Sequence, residues 1–160
     1  MLTYGELAAW WKEVGDGEKL SDRLYRSRGS EAEGKVFKFY AEKFVPHDPI
    51  ERGRYPALLP QVWLHFDPVT LRGRKGKKVL PRQRMDYMML LSSGPVIIEV
   101  DGPQHINNMD TYAEMMAADR GLTLLGYRIF RIAVSELDRQ DYQDMLGRLF
   151  RGLLSQHSTR

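Results

Sequence analysis

The stretch Arg84–Gly102, RMDYMMLLSSGPVIIEVDG, decides the fold. Arg84–Leu91 reads as a strand, Ser92-Ser93-Gly94-Pro95 as a turn, and Val96–Asp101 as a second strand apolar enough to be central in a sheet. Alternation puts Asp86 on one face with Met88 and Leu90, opposite Met85, Tyr87 and Met89. It puts Glu99 with Ile97 and Asp101, opposite Val96, Ile98 and Val100. Antiparallel pairing across the short turn sets the start of one strand against the end of the other. Asp86 and Glu99 then meet, with Asp101 just beyond the strand end.

Upstream, Ser30 as N-cap with Glu33 three residues on forms a capping box. Val36, Phe37, Tyr40 and Phe44 recur at helical spacing, so a helix is expected over Ser30–Phe44, stopped by Pro46. Gln61–Phe66 alternates and reads as a strand. Downstream, Gly102 breaks the chain, and Asn107 or Asn108 caps a helix reaching Leu125 with Gly126 as its C-terminal glycine. Tyr127–Ile132 returns as a fourth strand. Ser135 begins a final helix carrying Tyr142, Met145, Leu149 and Leu153 on one side. The expected class is α/β, with a mixed four-stranded sheet flanked by helices: hairpin-linked strands antiparallel, helix-linked strands parallel. Residues 1–29, with Leu7, Trp10, Trp11 and Val14 at helical spacing, form an accessory helix and connector. Residues 30–135 form the core, and 136–160 a C-terminal helix packed on it.

At 160 residues the chain suits one domain with one core. The run Val96–Val100, broken by Glu99, is far short of the ~20 apolar residues of a membrane helix. The N-terminus lacks a basic start followed by an apolar stretch. Having no cysteine excludes disulfides, thiolate nucleophiles and zinc–thiolate sites. A cytoplasmic domain without a membrane partner is expected. Net charge is only +3, but Arg72–Arg84 (RGRKGKKVLPRQR) holds seven basic residues and no acidic one, leaving 17 basic against 21 acidic elsewhere. Arg72, Arg74, Lys75, Lys77, Lys78, Arg82 and Arg84 thus form a Gly-spaced basic segment suited to a phosphate backbone. The same segment also reads as a solvated hairpin tip. It is not a phosphate-binding P-loop, because Gly73–Lys78 lacks the glycine spacing and a Ser or Thr after the lysine.

Carboxylates gathered at the end of an apolar sheet are unfavourable without a counter-ion. A hard divalent cation with oxygen ligands, Mg²⁺ or Mn²⁺, meets that need. The alternative is surface ion pairing, of Asp86 with Arg82 or Arg84 and of Glu99 with Arg128 or Arg131. A charge after a Val/Ile run has no structural purpose there, which favours the cation.

These residues resemble a known family. Arg84-Met85-Asp86-Tyr87, followed by Val96-Ile97-Ile98-Glu99-Val100-Asp101-Gly102-Pro103-Gln104-His105, is similar to the PD-(D/E)XK restriction-endonuclease-like nucleases, and within them to the subgroup around the very-short-patch-repair endonuclease. Asp119-Arg120 and Gly126-Tyr127-Arg128-Ile129-Phe130-Arg131 resemble the subgroup's downstream pattern. The likeness covers residues 30–135 and is specific over Asp86–Arg131. It implies a restriction-endonuclease-like core of order αβββαβ and a Mg²⁺- or Mn²⁺-dependent nuclease, a DNA endonuclease above all. Glu33 fits the family's first acid, and also reads as the acid of the capping box. Asp86 and Glu99 match the two metal-holding acids, with the Val100 carbonyl as a further ligand. The motif's usual lysine is Asp101 here, so Asp101 and Gln104 would position the water, and His105 would serve protonation or phosphate contact; His105 also reads as an ordinary loop histidine. Asp119 is expected to pair with Arg120 or Arg131, and Met85, Met88, Met89, Met115 and Met116 to fill the core. Two other readings stand beside the nuclease. One is a nuclease-like module that has lost catalysis and keeps nucleic-acid affinity. The other is an interaction domain with Trp10 and Trp11 as anchors. A homodimer or larger assembly is compatible with each.

Overall fold

In a computed structural model, residues 1–15, 17–64, 83–103 and 109–155 are described, Gln83 by its backbone alone. The elements in chain order are α1 (Tyr4–Val14), α2 (Leu20–Arg26), α3 (Glu31–Lys43), α4 (Pro49–Arg52), β1 (Leu59–Leu64), β2 (Gln83–Leu91), β3 (Gly94–Asp101), α5 (Met109–Leu124), β4 (Arg128–Ala133), α6 (Val134–Leu137) and α7 (Tyr142–Ser155). The four strands form one open mixed sheet in the order β1-β2-β3-β4. β1–β2 and β2–β3 are antiparallel, and β3–β4, joined through α5, is parallel. The expected mixed α/β architecture is what the chain adopts. No described helix is long and apolar enough to cross a membrane.

Several boundaries move, each for a local reason. The hairpin between β2 and β3 is tighter than the four-residue turn expected from Ser92-Ser93-Gly94-Pro95. Leu91 pairs with Gly94 and Leu90 with Pro95, leaving only Ser92 and Ser93 between the strands. Gly94 makes this possible at φ +117°, a region that side chains rarely enter. β1 begins at Leu59, two residues before the expected Gln61; Pro60 is tolerated because β1 is an edge strand. The expected strand end at Phe66 and the Asn107/Asn108 cap lie outside the described residues. The connector of residues 1–29 contains a further helix, α2, whose Leu24 is buried. The final helix is divided into α6 and α7, because Leu137 turns into the core at 1% exposure. Lys35 Nζ fixes that turn by donating to the Leu137 carbonyl at 3.1 Å and to Asp138 Oδ1 at 2.8 Å.

Two apolar clusters of unequal size are separated by the sheet. The larger joins Val36, Phe37, Phe39 and Tyr40 of α3 and Leu146, Phe150 and Leu153 of α7 to Tyr87, Met89, Val96 and Ile98 of the sheet. The smaller joins Leu64, Met85, Met88, Ile97 and Leu122. Met85 therefore packs with Met88, not with Tyr87 and Met89 as strict alternation predicts, and the phase slips at Asp86 between them. Met115 and Met116 are only half-buried. Trp11 Nε1 donates to the Glu18 carbonyl at 2.7 Å, while Trp10 is exposed.

Aromatic packing locks the larger cluster. Tyr40 and Phe150 have ring centroids 4.7 Å apart, and Phe44 and Phe150 are 5.6 Å apart. Phe150 is fully buried. Phe150→Ala should cost about 3–5 kcal/mol, since it removes both burial and packing partners. Trp10→Ala should stay within about 0.5 kcal/mol. Urea unfolding of the two variants measures both.

Candidate active site

Pairing between β2 and β3 ends at Tyr87–Ile98. Beyond it β2 continues with β1 as far as Gln83–Leu64, and β3 continues with β4 as far as Asp101–Ala133. The sheet forks, and the residues at the crotch are Asp86 and Glu99. A fork strips backbone donors of their ladder partners, and a half-buried amide needs another acceptor. The two carboxylates supply it. Val100 N–H donates to Asp86 Oδ2 at 2.9 Å, and Asp86 N–H to Glu99 Oε2 at a long 3.4 Å. The sequence placed these acids opposite each other; the parting of the strands turns both into the gap.

Glu33 reaches the same place from the first turn of α3. Ser30 caps the helix by accepting from Glu33 N–H at 3.2 Å. The return half of the expected capping box does not form with the cap residue's N–H. The Glu33 carboxylate instead accepts from Gly29 N–H at 2.7 Å and from the Ser30 hydroxyl at 3.0 Å. It is buried, whereas Glu31 is exposed. Tyr87, next to Asp86, ties the two elements together by donating its hydroxyl to the Glu33 carbonyl at 2.8 Å.

Gln61 is a site residue that sequence reading missed. Its Nε2 donates to Glu33 Oε2 at 2.8 Å and lies 3.5 Å from Asp86 Oδ1, bridging α3 and β2. It stands at φ +53°, the left-handed region that a residue with a Cβ enters at a cost of about 1–2 kcal/mol. Nothing in the alternating pattern of β1 signals this.

Asp101 lines the cavity but is already engaged. Arg131 Nη1 donates to both its oxygens at 2.9 Å, while Arg131 Nε and Nη2 donate to Asp119 at 2.8 and 2.7 Å. Asp119 thus has the second of its two expected partners, and Asp101 is tied to a guanidinium, where a water-positioning role was expected. Among the described residues no ion pair reaches Asp86 or Glu99, so the surface pairing weighed with Arg84, Arg128 and Arg131 does not form; Arg82 lies outside the described residues.

The cavity at the fork has a volume of about 730 Å³, with Glu33, Arg84, Asp86, Glu99, Asp101 and Arg131 in its walls together with Val100 and Met115. Burial raises the Asp86 carboxyl, opposed by the Val100 N–H and reinforced by Glu33. Burial, and then the Asp86 charge, push the Glu99 carboxyl up to about 8, against the pull of Arg131. Such a pair of oxygens suits a hard cation, which would displace the proton. Among the described residues no group of three Asp, Glu or His side chains converges to hold a metal ion. A cation here would find two carboxylates and would need main-chain or solvent oxygens to complete its shell, as Mg²⁺ does where it keeps several waters. Gln104, His105, Arg72, Arg74, Lys75, Lys77, Lys78 and Arg82 lie outside the described residues; Arg84 is exposed on the cavity wall.

No family model, curated protein or solved structure matches the chain.

The raised Glu99 carboxyl has a stability consequence. A group whose folded-state pKa lies above its unfolded value stabilises the fold below the unfolded pKa, and that contribution is lost as pH rises through the folded pKa. With chelator present, Tm should fall between pH 5 and pH 8, and Glu99→Gln should flatten the slope. Mn²⁺ should raise Tm more at pH 8 than at pH 6. Differential scanning fluorimetry across that range checks all three.

Proposed function

We infer that the chain is a metal-dependent phosphodiester hydrolase of the restriction-endonuclease-like class acting on nucleic acid, DNA above all. The observation that carries the reading is the forked sheet, with Asp86 and Glu99 in its crotch. Two half-buried carboxylates have raised pKa values and no ion-pair partner among the described residues. Perturbed acids in one cavity, and strained backbone at Gln61, which holds Glu33 of its wall, are features that concentrate at functional sites. Among the described residues the order α3-β1-β2-β3-α5-β4, with the turn of α4 between α3 and β1, agrees with the core order the family resemblance implies.

Asp86 and Glu99 are the residues that would hold Mg²⁺ or Mn²⁺, with Val100 as the further ligand the resemblance suggests. Such an ion supplies Lewis-acid charge at the phosphate and a water more acidic than bulk water. Glu33, held by Gly29, Ser30 and Gln61, keeps a third acid on the same wall and adds to the negative field that draws a cation. Arg131 takes the electrostatic part left by the missing lysine. It is the cation whose charge favours ionised Glu99, and Asp101 and Asp119 hold its guanidinium in one orientation. Asp101 thus acts through Arg131. Arg84, on the cavity wall, would meet the phosphate backbone of such a substrate.

The test is cleavage of supercoiled plasmid and end-labelled single strands in Mn²⁺, Mg²⁺ or EDTA. Asp86→Ala and Glu99→Gln should each lower cutting by at least about 100-fold, while leaving binding in EDTA within a few-fold. Arg131→Lys should keep more activity than Arg131→Met. Wild-type protein that binds nucleic acid and never cuts in either metal would establish instead a binding module that has lost catalysis.

A further inference from the structure

Next to the forked cavity lies an aromatic feature that hydrolysis does not use. Trp63, the penultimate residue of β1, is 45% exposed on the edge strand of the sheet. Its neighbours Val62 and Leu64 pack into the smaller cluster, so the indole projects from the other side of the strand. Its register partner is Arg84, whose guanidinium carbon lies 6.0 Å from the ring centroid. That is the outer limit of a cation–π contact, and the side chain as a whole stays 45% exposed. Arg84 also forms part of the cavity wall, two residues before Asp86 on the same strand. Two residues of strand span ~7 Å, the scale of one nucleotide step.

We propose that Trp63 and Arg84 form a stacking platform that receives an unpaired base beside the cavity, so that the strand engaged there is single-stranded. The inference rests on the nucleic-acid reading above for the class of its ligand. Its chemistry is specific. Bases within a duplex have their faces covered by neighbouring pairs and present only edges and phosphates, whereas an unpaired base offers a whole π face. A half-exposed indole with a guanidinium at its side fits that face, and Arg84 at the same time meets the adjoining phosphate. Trp10, 53% exposed on α1, is an internal control: it is a similarly exposed indole, but it lies on a helix and not beside Arg84 of the cavity wall.

The experiment is done in EDTA, where cutting is absent. Anisotropy of a fluorescein-labelled oligo(dT) 20-mer and of a 20-base-pair duplex is titrated with wild type, Trp63→Leu, Trp63→Phe and Trp10→Leu. Trp63→Leu should weaken single-strand binding ~10-fold or more and change duplex binding less than twofold. Trp63→Phe should restore most of the loss, and Trp10→Leu should bind as wild type. Intrinsic tryptophan emission should be quenched by oligo(dT), with the quench reduced in Trp63→Phe. This second signal decides the matter if Trp63→Leu unfolds. Equal losses on both ligands, no loss on either, or no single-strand binding by wild type would each overturn the platform. Cleavage that persists while Trp63→Leu binds single strands normally would sink this inference and spare the hydrolase. Selective single-strand binding without cleavage would do the reverse.

Discussion

Everything at the candidate site depends on one hydrogen bond, from Val100 N–H to Asp86 Oδ2 at 2.9 Å. Two strands that part company leave amides without carbonyl acceptors, and a half-buried unpaired amide costs about 1–3 kcal/mol. A carboxylate at the crotch answers that need, and in doing so is held away from bulk water. Burial at the fork raises the acids' affinity for a proton, against the Val100 N–H, which favours the ionised form of Asp86. Fold and chemistry meet in the same atoms.

The surroundings keep this arrangement in place. Tyr87, the last β2 residue paired to β3, lies in the larger cluster and holds the first turn of α3 through the Glu33 carbonyl. Gln61 spans from the edge strand to Glu33 and stands close to Asp86, with its backbone in the left-handed region. Arg131, the register partner of Glu99 on β4, is gripped by Asp101 and Asp119. Each wall of the cavity is thus fastened to a different element: α3, β1, β2, β3, β4 or α5. The larger cluster, with Tyr40, Phe44 and Phe150 in contact, gives the rigid backing against which these positions are set.

Much of the fold was readable from periodicity and caps. Ser30 with Val36, Phe37 and Tyr40 marks α3 to within a residue, and the Val96–Asp101 run marks a central strand. The meeting of Asp86 and Glu99 followed from strand polarity and hairpin length. What periodicity missed came from long-range packing. Burial of Leu137 divides the last helix, and a buried Leu24 builds α2 in a stretch that reads as polar connector. The phase slip that sends Met85 to the smaller cluster follows from the fork, which no single strand's alternation encodes.

The sequence by itself determined which residues could meet, because alternation at two residues and helical recurrence are properties of the backbone. It therefore determined the mixed sheet and the opposition of two acids across a hairpin. Only the tertiary structure decided what each acid does next. Asp101 could as well have pointed at a cavity water as at Arg131, and its choice depends on a guanidinium delivered 30 residues later by β4. Gln61 became part of the site because α3 brought Glu33 within 2.8 Å of its amide. Side-chain partnerships of this kind are set by three-dimensional proximity and the need to satisfy buried polar atoms, and neither leaves a period in the chain.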